Sequence, residues 1–76
     1  MIKEVKRTKY PTSKQISSMA LNLKEKYKNK HVSIEWRFSV YRILIIHLFI
    51  YIEDLICQDH LTWEECQDKY FSLMKG

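Results

Sequence analysis

From residue 34 to residue 53 the chain carries no Gly, Pro, Asn or Asp. These are residues that let a chain reverse direction at least cost. A strand through this stretch would run for about 20 residues, several times the usual strand length. A helix needs no turn, so length predicts one helix over 34–58. The local pattern argues otherwise. Val32, Ile34, Trp36, Phe38 and Val40 alternate with Ser33, Glu35, Arg37 and Ser39, a period of two. The alternative it supports is a strand at 32–41 followed by a helix at 43–57.

The flanks read as helices. Thr12 and Ser13 are N-cap candidates, and Gln15 three residues after Thr12 suggests a capping box. Ile16, Met19, Ala20, Leu23 and Tyr27 recur at helical spacing, with Ser17, Asn22, Lys24 and Lys28 on the opposite face. Asn29 is a stop residue, which predicts a helix over 13–29. Near the other end Thr62 and Glu65 form a second box, with Leu61 and Cys66 at the staple positions. Trp63, Cys66, Tyr70, Leu73 and Met74 follow at helical spacing, predicting a helix over 63–75. There is no internal repeat and no linker. The expected fold is all-α: a three-helix unit (13–29, 34–58, 63–75) forming a single helical domain over 12–76. A basic N-terminal arm at 1–11 precedes it. The alternative is α+β with a strand at 32–41.

A helix over 34–58 would be apolar all round its middle. Between residues 43 and 52 the one polar side chain is His47. A helix hydrophobic on every side has to be buried on every side. Two flanking helices cover two sides, so the third predicts an interface. The candidate contact residues are Trp36, Val40, Ile43, Ile46, His47, Phe49 and Ile50. The competing arrangement folds the N-terminal arm across this side. Size points the same way. A chain of 76 residues hides only about 60% of its unfolded surface, and such small scaffolds often need self-association.

Composition narrows the setting. Two Cys are too few for a disulfide scaffold. The run at 43–52 is half the length of a membrane span, and no apolar segment follows the basic start as in a signal peptide. A cytoplasmic, reducing environment is expected, and a membrane is not an expected partner. Nine Ile and seven Leu stand against one Ala, and ten Lys against three Arg. An AT-rich genome encodes such a bias, as phages, plasmids and low-GC bacteria do.

Charge is divided unevenly. Residues 1–42 hold eleven basic and three acidic side chains, and residues 43–76 hold two and six. The halves carry +8 and −4, which make up the chain's +4. Lys6, Arg7, Lys9, Lys26, Lys28, Lys30, Arg37 and Arg42 lie among aromatic residues and are candidates for anion binding, as in nucleic-acid binders. Few are Arg, the better phosphate fork, and an all-apolar central helix cannot enter a DNA groove. Dipole compensation at helix ends explains much of the same pattern.

Catalytic constellations are weak. Cys57, His60 and Cys66 have Cys-x2-His-x5-Cys spacing. Zinc would need a fourth ligand from His31 or Asp59, so buried free thiols fit better. His47 fits a core or interface histidine. It lies ten residues from Cys57, about 15 Å along one helix, too far for a nucleophile–base pair. Glu64, Glu65 and Asp68 are explained by capping. No enzyme activity, cofactor or metal is expected.

The sequence thus predicts a small non-catalytic regulatory or inhibitor protein, phage- or plasmid-encoded in character, acting by protein binding and self-association through its central apolar helix. Its expected partners are a second copy of itself and a protein target, an acidic one suiting the basic half. The alternative is a nucleic-acid or phosphate-ligand binding protein.

Overall fold

A computed structural model of the chain describes residues 3–40 and 44–76. The elements are α1 (Ser13–Lys26), β1 (Val32–Val40), β2 (Leu44–Ile52), β3 (Ile56–Leu61) and α2 (Trp63–Lys75). The fold is α+β, not all-α. The helix expected over 34–58 is replaced by strands. The alternation at 32–40 is real β structure, as the alternative reading had it, but the helix at 43–57 in that reading is β2 and β3.

The length argument failed because the chain reverses without Gly or Pro. Glu53, Asp54 and Leu55 form the turn between β2 and β3, with Asp54 at φ 61° and Leu55 N–H donating to the Ile52 carbonyl at 2.9 Å. Asp is among the few residues that visit the left-handed region at modest cost. Residues 41–43, between β1 and β2, lie outside the described residues. Glu53 and Asp54, awkward at a helix C-terminus, are natural in a turn.

The sheet is antiparallel in the order β1-β2-β3. β1 and β2 pair without slippage from Val32↔Ile52 to Val40↔Leu44. β3 pairs from Ile52↔Ile56 to Leu48↔Leu61, with a bulge in between. His60 sits in that bulge at φ 59°. Its place beside the shifted register accounts for the unusual backbone.

One face of the sheet makes the core. Val32, Leu48, Ile50, Ile52 and Leu61 meet Ile16, Met19 and Leu23 of α1 and Trp63, Cys66 and Tyr70 of α2. Both helices lie on this face and run parallel. The Asn22 amide donates to the Tyr70 hydroxyl at 2.8 Å, and Lys26 Nζ donates to the Leu73 and Met74 carbonyls at 2.6 and 2.8 Å. Lys26 thereby satisfies carbonyls that α2 leaves open at its C-terminus.

α1 ends three residues before the expected 29. Tyr27 is its C-cap, donating N–H to Leu23 O at 2.9 Å. Its N-cap is Thr12, which accepts from Gln15 N–H at 3.2 Å, but the Gln15 side chain turns to the Lys6 carbonyl. Half of the expected box is therefore present. α2 spans the expected 63–75, and its box is complete, with Thr62 Oγ1 accepting from Glu65 N–H and Glu65 Oε1 accepting from Thr62 N–H.

The N-terminal arm does not cross the central segment. It is extended and strapped to the two helices by buried carboxamides. Asn22 accepts from Lys3 N–H at 2.8 Å and donates to Lys3 C=O at 2.7 Å. Gln67 accepts from Thr8 N–H at 2.8 Å and donates to Thr8 C=O at 3.2 Å. Each amide mimics a neighbouring strand for one arm residue. Asn22, expected on the polar face of α1, is fully buried for this reason.

Candidate interaction surface

β2 reads LIIHLFIYI. Leu48, Ile50 and Ile52 face the helices and are fully buried. His47, Phe49 and Tyr51 alternate with them on the other face and are half-buried. No helix lies on that face among the described residues. It carries the Phe49 and Tyr51 rings parallel within 5° at 6.4 Å between centroids, and His31 beside Tyr51 at 6.1 Å. His47 and His60 meet edge to face at 4.7 Å. A strand with apolar residues at both parities is the pattern of a sheet covered on both sides.

The hairpin also outruns its supports. β3 pairs with β2 no further than Leu48. α2 begins two residues after β3 ends and runs back along the sheet, with α1 parallel beside it. Both helices therefore start near the level of the Trp36↔Leu48 pair, whereas the β1–β2 ladder continues for four further pairs, to Val40↔Leu44. The molecule measures 40 × 25 × 17 Å along its principal axes. A bare two-stranded ribbon is marginal in water.

The structure distributes the expected contact residues as follows. Trp36 is half-buried at the margin of the core, and Val40 and Ile46 hold ladder positions in the outer ribbon. His47 and Phe49 are on the open face, Ile50 is fully buried under the helices, and Ile43 lies outside the described residues. Sequence reasoning missed Tyr51, since a helical wheel separates positions 49 and 51 that a strand aligns.

The basic candidates do not converge. Arg7 pairs with Asp68 and stands over the Phe71 ring, with its guanidinium carbon 5.2 Å from the centroid. Lys26 is held by α2. Lys6 and Lys9 are exposed on the arm, toward the helix N-termini, whereas Lys28 and Lys30 are exposed between α1 and β1, at the opposite end. Arg37 holds a ladder position opposite His47, and Arg42 lies outside the described residues.

A cavity of about 260 Å³ opens between the arm and the start of α2, lined by Arg7, Thr8, Lys9, Trp63, Glu64 and Gln67. Its Trp63 indole and Gln67 amide both donate to the Thr8 carbonyl, at 2.9 and 3.2 Å. These polar groups serve the arm.

The two thiols are separated by the sheet. Cys57 is exposed, in register with Tyr51, while Cys66 is buried in the core. Burial pushes the Cys66 thiol up to about 12. Among the described residues no three of His, Cys, Asp and Glu are grouped to hold a metal ion, and no helix is long and apolar enough to cross a membrane.

No family model, curated protein or solved structure matches the chain.

Proposed function

We propose that the chain is a small non-catalytic binding protein that works as an assembly of its own copies, joined through the β1–β2 hairpin. In that form it docks on a protein target in the cytoplasm as a regulator or inhibitor. The observation that supports this is the two-sided apolar character of β2 in a fold whose helices cover one side. An apolar face left open beside the helices marks an interface, for a second copy of the chain or for the protein target. The basic arm and α1 steer an acidic target, a long-range effect on association rate. Nucleic-acid binding is the weaker reading, because Arg7 and Lys26 are engaged within the fold and the exposed lysines divide between two ends.

The test is light scattering on the protein eluting from a sizing column, with absorbance at two ultraviolet wavelengths. The expected result is one mass at a multiple of 9.3 kDa with a protein-like absorbance ratio. A wild-type monomer at every concentration overturns the proposal, as does a nucleic-acid-like ratio.

A further inference from the structure

β1 is an edge of the sheet. It is nine residues long, without Pro or a bulge against its partner. Long regular edges of this kind are templates for another strand. Which backbone groups point outward follows from one hydrogen bond. Glu53 N–H donates to the His31 carbonyl at 2.9 Å, so His31 turns its polar groups toward β2. In an antiparallel ladder this alternates. Ser33, Glu35, Arg37 and Ser39 turn theirs inward. Val32, Ile34, Trp36, Phe38 and Val40 turn theirs to the outer edge.

We propose that two copies join by antiparallel pairing of β1 with β1 of the second copy, with the two-fold axis at Trp36, into one six-stranded sheet. The proposal rests on the self-association put forward above and specifies its surface and register. Three observations select this register. It is the one in which all nine residues pair, Val32 opposite Val40 and Ile34 opposite Phe38. It sets outward-turned residues opposite each other, as ladder hydrogen bonds require. It also sets Glu35 opposite Arg37 twice. Moving the axis to residue 35 would face Glu35 with its own copy, and moving it to residue 37 would do the same for Arg37. Cross-strand pairs of opposite charge favour a register and like charges oppose it.

The axis stands perpendicular to the sheet. The helices of both copies therefore lie on one side, and the rows containing Phe49 and Tyr51 lie on the other as one broad face. Val32, Ile34 and Trp36 of the joined strands fall on the helix side, and Glu35, in register with Phe49, on the open side. The interface is isologous and closes at two copies.

The experiment follows dissociation by sedimentation for Glu35→Lys, Arg37→Glu, their equimolar mixture, and the double variant. Each single swap turns two attractive pairs into two repulsive ones, so dissociation constants are expected to rise about tenfold. The mixture should form a mixed dimer as tight as wild type, and the double variant should dimerise with itself. Rescue in trans is a result that a fold-stabilising role for either residue does not give. A second readout uses Ser33→Cys and Ser39→Cys, each with Cys57→Ser. Positions 33 and 39 oppose each other across the axis as a non-hydrogen-bonded pair, about 4.5 Å between Cα atoms, within disulfide reach. Oxidation should link the mixture and neither variant alone. A wild-type oligomer with no trans rescue and no mixed cross-link overturns the β1 pairing while leaving self-association standing. A wild-type monomer overturns both.

Discussion

Asn22 Nδ2 donates to the Tyr70 hydroxyl at 2.8 Å while the same carboxamide holds both backbone groups of Lys3. One fully buried polar side chain thus joins α1, α2 and the arm. Buried groups stripped of a partner cost about 1–3 kcal/mol each. Asn22→Leu strands the buried Tyr70 hydroxyl and releases both backbone groups of the exposed Lys3, and should destabilise the fold by about 2 kcal/mol. Tyr70→Phe, which strands only one donor, should cost about 1 kcal/mol. Urea midpoints of the two variants and their double mutant measure this. Additive losses would show that Asn22 and Tyr70 are not coupled.

Gln67 repeats the device on Thr8, aided by the Trp63 indole. Gln67→Leu should release the outer part of the arm with little change in the sheet. Limited trypsinolysis is the readout, with cleavage after Arg7 and Lys9 expected to accelerate several-fold while helical content stays constant. Unaltered cleavage would mean that Trp63 alone holds Thr8.

These clamps mark where sequence reading stops. Both helices were legible because Thr12 and Thr62 announce their starts and apolar residues follow at helical spacing. β1 was legible as alternation from Val32 to Val40. β2 was not, because its two faces are both apolar and such a run has no period of its own. The turn at Asp54 was hidden because a single left-handed Asp performed a reversal usually marked by Gly. Asn22 and Gln67 look like solvent-facing helix residues in sequence. Only the arm, brought beside them from far along the chain, gives their amides a reason to be buried. The candidate contact set was partly right in place and wrong in geometry. It followed the central segment, but a wheel of 100° per residue placed Ile50 outward and overlooked Tyr51.

The two N-caps differ in a way that stability can resolve. Thr62 and Glu65 bond reciprocally, whereas Thr12 receives one bond and Gln15 looks elsewhere. Replacing an N-cap Thr by Ala costs about 1 kcal/mol. Thr62→Ala should exceed Thr12→Ala, since it also frees the Glu65 side chain. Thermal or urea unfolding of the two variants decides it, and equal losses would argue against any contribution from the reciprocal bond.

Cys57 and Cys66 should separate cleanly by reactivity and by pH. Only the thiolate reacts readily, and it must also be reachable. Exposed Cys57 should take up one equivalent of a thiol reagent in the native protein, and Cys66 should react only on unfolding. Burial holds the Cys66 thiol at about 12 in the fold, well above its ordinary value. Below the ordinary thiol range both states keep the proton, and the stability associated with the buried neutral thiol is fully present. As pH rises through that range the unfolded chain loses its proton while the fold keeps it. The native state then binds more protons than the unfolded one, so stability falls with rising pH up to about 12. Cys66→Ala removes this proton difference. The variant should start less stable through the cavity it leaves, yet lose less stability between neutral and alkaline pH than wild type. Parallel slopes in urea midpoints would show that Cys66 ionises as freely in the fold as outside it.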